Sequence, residues 1–187
     1  DIYDREEVRA VRIVDYKSGQ QEFDLTEIFY GLSLQLVVYL EAIAKIEGVK
    51  HPEKRMVKAG MFYYHIQDPI LEEMPGNPEE LESQLASMLK LEGLANNDPQ
   101  VVAWMDGKLS EAPQVLPVTL KKDGSFSKAS SVASAEQMDE LGYLVHRRIE
   151  QLAAGWMSGD ISKNPYLLIN GSKKRTACDY CSYRGIC

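Results

Sequence analysis

The residues best suited to chemistry stand at the end of Val11-Arg12-Ile13-Val14-Asp15-Tyr16-Lys17-Ser18-Gly19. An apolar run delivers an acid and a lysine two residues apart, then stops at a Ser-Gly turn. In an extended strand alternate side chains share a face, so Asp15 and Lys17 project together while Tyr16 turns away with Val14. A carboxylate and an ammonium at the end of a buried strand can hold a divalent cation with a water beside it. That is an arrangement for phosphodiester hydrolysis. Asp-x-Lys is also common at surface strand ends, so its meaning depends on what surrounds it.

The next element supplies a second polar pair. Thr26 caps a predicted helix over 26–47, stopped by Gly48. Ile28, Leu32, Leu36, Tyr39, Leu40 and Ile43 recur at the helical period and form its expected buried face. Gln35 falls on that face, one turn before Tyr39. A glutamine there needs hydrogen-bond partners, either core backbone groups or the Asp15 strand and a substrate phosphate. Strand Asp-x-Lys and helix Gln-x-x-x-Tyr together favour the second.

A separate constellation lies in the tail, where Cys178-x₂-Cys181-x₅-Cys187 gathers all three cysteines of the chain. Thiolates so clustered wrap a soft metal and leave a fourth position open. From chemistry alone zinc competes, with His51, His65 or His146 as fourth ligand. Three cysteines within ten residues make no disulfide framework, and the expected compartment is the cytosol.

Around these sites the sequence reads as α/β. A strand hairpin over 1–17 precedes the helix, and 57–66 is a nearly continuous apolar strand ended by Asp68-Pro69. Asn77-Pro78 and Asp98-Pro99 open helices. Val115 to Leu120 and Ser125 to Ala129 form a predicted hairpin across Lys122-Asp123-Gly124. Ser134 and Gln137 make a capping box for a long helix with Met138, Leu141, Val145, Ile149, Leu152 and Trp156 facing inward. The expected domains are a core of strand hairpin, helix and strand over 1–70, a helical and hairpin elaboration over 71–160, and a Cys-rich tail over 161–187.

Net charge is −7, which argues against a free-standing nucleic-acid binder. It is uneven: residues 161–187 hold five basic side chains and one acid, leaving −11 for the rest. An acidic body can surround a metal while a larger assembly supplies a basic channel. No segment is long and apolar enough to span a membrane, and the first residues are no signal peptide. The chain reads as a fragment of a longer protein. His65 is expected to be a satisfied strand-end histidine and Phe62-Tyr63-Tyr64 to be core. Lys121-Lys122 and Lys173-Lys174-Arg175 are expected in solvated turns. Without a Gly-rich phosphate loop, any ATP-driven motor lies elsewhere.

The strand Asp15-Tyr16-Lys17-Ser18 followed by Gln35-Leu-Val-Val-Tyr39 resembles the RecB-like nucleases of the PD-(D/E)xK superfamily. Phe23 to Gln35, Ala59 to Pro69 and the Cys cluster are similar to the nuclease domains of B subunits in AddAB-type helicase–nucleases. The resemblance implies a restriction-endonuclease-like mixed sheet flanked by helices. It implies a Mg²⁺-dependent DNA exonuclease that processes double-strand breaks for recombinational repair. A helicase–nuclease partner, joined to the B subunit as a heterodimer, would drive it along DNA. On that resemblance Asp15 and the Tyr16 carbonyl are metal ligands, Lys17 acts on the attacking water and transition state, and Gln35 and Tyr39 support the site. It also implies a [4Fe–4S] cluster on Cys178, Cys181 and Cys187, its fourth cysteine far upstream. The family's first acidic ligand lies in an Ile-Asp-Arg-x-Asp stretch whose second Asp matches Asp1. The first ligand is then upstream, with Asp1 or Asp4 the lesser candidates, and the fragment itself is expected to be inactive, its cluster absent and its tail loose. Two other readings stay open: an idle DNA-guiding or structural module, and a zinc-tail interaction domain.

Overall fold

The computed structural model describes residues 1–19, 21–66, 76–106, 115–170 and 173–186. Five strands form one mixed sheet in the order β1-β2-β3-β4-β5. At its centre β2 (Val8–Lys17) and β3 (Arg55–His65) run parallel. β1 (Ile2–Asp4) is antiparallel to β2, and β4 (Glu92–Asn96) is antiparallel to β3. β5 (Val132–Ala133) closes the far edge parallel to β4.

Two core layers sandwich this sheet. Val11, Met61, Tyr63 and Leu94 point to one face, where Leu36, Val37 and Leu40 of α2 (Gln35–Lys50) and Met138 and Val145 of α5 (Ala135–Met157) cover them. Phe62 and Ala95 point to the other, against Val102 of α4 (Pro99–Met105), Leu116 and Val118. Neighbours in sequence therefore bury against opposite layers, as a central strand demands. Asn77 and Asp98 cap α3 (Pro78–Met88) and α4, and Ser134 with Gln137 forms the expected capping box of α5.

The structure departs from the sequence reading in several places. The single helix over 26–47 is two, α1 (Leu25–Phe29) and α2, and Asp24 rather than Thr26 caps the first. The break contains Gly31 at φ +86 and Ser33 at φ +51, left-handed conformations that no helix continues through. The expected hairpin across Lys122-Asp123-Gly124 is present but short: Leu120 bridges Phe126, with the Lys121 N–H donating to the Ser125 carbonyl and the Ser127 N–H to the Thr119 carbonyl, each at 2.8 Å. β4 was not expected at all. The tail is structured: β6 (Leu167–Asn170) and β7 (Lys173–Thr176) pair antiparallel and lead into a 3-10 turn, Ala177–Tyr180. Finally, α5 buries only the first half of its stripe. Ile149 is partly exposed, and Leu152 and Trp156 are 58% and 84% exposed.

Candidate active site

The C-terminal ends of β2 and β3 lie side by side, with Asp15 opposite Tyr63 and Lys17 opposite His65. The two-residue period puts Asp15 and Lys17 on the face covered by α2, and Lys17 Nζ stands 2.7 Å from Asp15 Oδ2. That approach is an ion pair without hydrogen-bond alignment, so Asp15 Oδ2 is buried with no hydrogen-bond partner. A buried carboxylate oxygen that has an ionic neighbour but no hydrogen bond is incompletely satisfied. Tyr16 turns to the opposite face, as expected, and rests edge-on against Tyr64 at 5.6 Å.

The first turn of α2 meets this strand end. Lys17 Nζ donates to Gln35 Oε1 at 3.1 Å, and Gln35 Nε2 donates to Tyr39 Oη at 3.1 Å. The four sequence-derived residues thus form one continuous chain, Asp15–Lys17–Gln35–Tyr39. Gln35 and Tyr39 are exposed, however, not on the buried face. Leu36, Val37 and Leu40 bury instead, leaving the glutamine at the rim, where it serves both the lysine and the tyrosine. The Lys17 ammonium also lies 5.5 Å from the Tyr63 ring centroid, a cation–π contact that fixes it from a second side.

The PD-(D/E)XK nuclease superfamily matches residues 1–187. The chain belongs to that superfamily. Among its curated relatives are ATP-dependent helicase/deoxyribonuclease subunits B. That of Thermoanaerobacter sp. (strain X514) is 36% identical over 188 residues, and that of Lachnoclostridium phytofermentans 37% over 200. The protein from Clostridium botulinum (strain Hall) is 35% identical over 193 residues. Each match takes in 100% of this chain but only 16% of the relative.

Asp1 and Asp4, the lesser candidates for a further acidic ligand, are both engaged in ion pairs. Asp1 pairs with Arg12 at 2.9 Å, and Asp4 is held by Arg9 at 2.6 Å and Lys54 at 2.5 Å. Both carboxylates are neutralised along β1, which runs away from Asp15. Among the described residues no group of three or more His, Cys, Asp or Glu side chains could hold a metal.

Sequence reasoning missed Glu92. Tyr63 is opposite Asp15 on one side and Glu92 on the other, so the two acids flank one tyrosine. Burial raises the Tyr63 pKa above its ordinary value, and the charges of Asp15 and Glu92 add to that. Glu92 Oε1 accepts the Phe23 N–H at 2.9 Å, while His65 reaches Glu92 Oε2 at 3.4 Å and the Gly19 carbonyl at 2.9 Å. His65 and Glu92 thereby fasten the loop that follows the Asp-x-Lys strand. Only recognition of β4 could have located Glu92.

The described cysteines lie on the tail's 3-10 turn. Cys178 sits within it and Cys181 caps it, both as free cysteines. Cys187 lies outside the described residues. His51 and His146 face Glu53 and Glu150 instead.

Proposed function

We propose that this domain hydrolyses DNA phosphodiesters with Mg²⁺ held at Asp15, as the nuclease part of a longer helicase/deoxyribonuclease B subunit. The observation that carries this reading is the buried Asp15 Oδ2, which has no hydrogen-bond partner and faces the Lys17 ammonium at 2.7 Å. A carboxylate oxygen so placed keeps acceptor capacity for a divalent cation beside the lysine. The Tyr16 carbonyl would complete this side of the shell. Bound there, Mg²⁺ would supply Lewis acidity for attack on phosphorus.

The register of β1 supports an upstream source for the other acid. Asp1 and Arg12 exchange both backbone hydrogen bonds, and Ile2 and Tyr3 face Val11 and Ala10. Carried three residues further back, the same register reaches Asp15. Three residues is also the spacing between the two acids of the Ile-Asp-Arg-x-Asp stretch. A carboxylate there would stand directly across from Asp15.

The chain's own groups then have separate tasks. The Lys17 ammonium offsets charge that builds on the phosphoryl oxygens as water attacks phosphorus and the P–O ester bond breaks. It also orients that water by donating to its oxygen. Gln35 fixes Lys17, and Tyr39 fixes Gln35. The acidic body would need a basic channel from its heterodimeric helicase partner to hold DNA. The reaction would be exonucleolytic trimming at double-strand breaks, in the cytosol, in service of recombinational repair. In the longer protein Cys178, Cys181 and Cys187 would hold a [4Fe–4S] cluster with a structural role, which iron and sulfide analysis would test.

The decisive experiment is Lys17→Ala in the full-length polypeptide assembled with its helicase partner, assayed for Mg²⁺-dependent DNA degradation and for unwinding. We expect cutting to fall by at least about 100-fold with unwinding retained. Undiminished cutting would make the site idle and leave a guiding module.

A further inference from the structure

One buried carboxylate takes no part in the chemistry above. Glu27 of α1 is only 5% exposed. Its Oε2 accepts the Ser33 hydroxyl proton at 2.5 Å. Its Oε1 pairs with the guanidinium of Arg175 on β7, and its backbone carbonyl accepts the Leu32 N–H at 2.9 Å. Withdrawing a carboxylate from water is costly unless it is paired and hydrogen-bonded. These contacts therefore fix Glu27, and Glu27 in turn fixes them.

Ser33 is where that fixation reaches the active site. Among the described residues it is the one non-glycine residue at positive φ, +51, a conformation that persists only when its surroundings impose it. It stands two residues before Gln35. The N-cap of α2 is Leu34, which makes no side-chain capping bond, so the start of α2 lacks the usual local anchor. Its anchor is the Ser33–Glu27 bond. Gln21, in the loop after Lys17, also donates to Ser33 Oγ at 3.3 Å.

We infer that Glu27 is a positioning residue for Lys17: seated by Arg175, it holds Ser33 and the first turn of α2 so that Gln35 meets the ammonium. The docking of the β6–β7 hairpin is thereby coupled to the geometry of the Asp15–Lys17 pair. This inference rests on the nuclease reading of that pair.

The test uses the full-length polypeptide with its helicase partner. Glu27→Gln, Ser33→Gly and Arg175→Met are each made alone and in a Gln35→Ala background, with Lys17→Ala as control. Glycine accepts the Ser33 backbone conformation, so that variant removes the hydroxyl without adding strain. Each single change is expected to lower turnover about tenfold, with KM for DNA unchanged, since small displacements at a reacting centre have effects of this order or more. In the Gln35→Ala background none should cause a further loss, because the group they position is gone. Equal losses in both backgrounds would mean a merely structural role and overturn the inference, as would full activity of Ser33→Gly. A neutral Arg175→Met beside an impaired Ser33→Gly would remove the hairpin from the proposal. If Lys17→Ala itself cuts normally, the nuclease reading fails and this inference with it. If Lys17→Ala is dead and the other variants are normal, only this inference fails.

Discussion

At the strand end Lys17 meets Asp15 at 2.7 Å, Gln35 at 3.1 Å and the Tyr63 ring. A flexible four-carbon stem held at three points is pre-organised, which is what charge stabilisation in a transition state requires. Removing one support should cost less than removing the lysine. Gln35→Ala is expected to lower turnover about tenfold, and Tyr39→Phe, which deletes only the acceptor behind Gln35, by about twofold to threefold. Both side chains are exposed, so urea denaturation should show stability within about 0.5 kcal/mol of the parent. A larger turnover effect for Tyr39→Phe than for Gln35→Ala would reverse the proposed order of support. At this scale the sequence was informative because two short periods sufficed. The strand alternation aligned Asp15 with Lys17, and one helical turn aligned Gln35 with Tyr39. Which face Gln35 occupies was not legible, because the break at Gly31–Ser33 resets the helical phase.

Element α2 spans the length of β2 and is tied to it at both ends. Gln35 meets Lys17 at one end. At the other, Arg9 reaches Glu47 Oε2 at 2.7 Å and Lys50 reaches Oε1 at 3.0 Å. Hydrogen bonds from Lys50 and then Arg9 hold the Glu47 carboxyl below its ordinary 4.5. Its folded pKa is depressed, so this stabilisation is complete above the unfolded value. It is lost as pH falls from there through the folded value. Thermal melts between about pH 6 and pH 3 should therefore show a fall in wild-type Tm that is smaller in Glu47→Gln. An identical pH profile in both would deny Glu47 that role. The strand β4 has its own requirement. A Cβ on Gly93, at φ +154, would lie 2.1 Å from the Met61 carbonyl oxygen. Gly93→Ala is thus expected to destabilise by about 2–4 kcal/mol in urea denaturation, through backbone strain and overpacking together. Tolerance of alanine there would mean β4 does not lie against β3 as described. β4 was illegible for a physical reason. Glu92-Gly-Leu-Ala-Asn96 has no β-branched or aromatic residue, so its strand character comes from pairing with β3 rather than from propensity. The capped helices were legible because their capping signals are local.

Over the whole molecule, the half-exposed helix α5 separates what folds this chain from what it offers outward. One apolar stripe runs from Met138 through Leu141 and Val145 to Ile149, Leu152 and Trp156, as its period implied. Met138 and Val145 are 1% and 2% exposed against β3 and α2, whereas the far end rises to 84% at Trp156. Periodicity reports which residues share a face, but not whether the body extends far enough to cover it. The stripe was therefore legible in the sequence and its burial was not. The chain spans 16% of the relatives it matches, so most of the surface such a protein possesses is not represented in these residues. The contrast gives a direct measurement. Met138→Ala should cost about 2–5 kcal/mol in denaturant unfolding, the loss of a methionine from a filled core. Trp156→Ser should change stability by less than about 0.5 kcal/mol, because water already covers that side chain. A large loss at Trp156 would mean that the end of α5 is packed against this domain after all. Equal, small losses at both positions would mean that the Met138 layer is not the core that holds α2, and through it Gln35, over the strand end that carries Asp15 and Lys17.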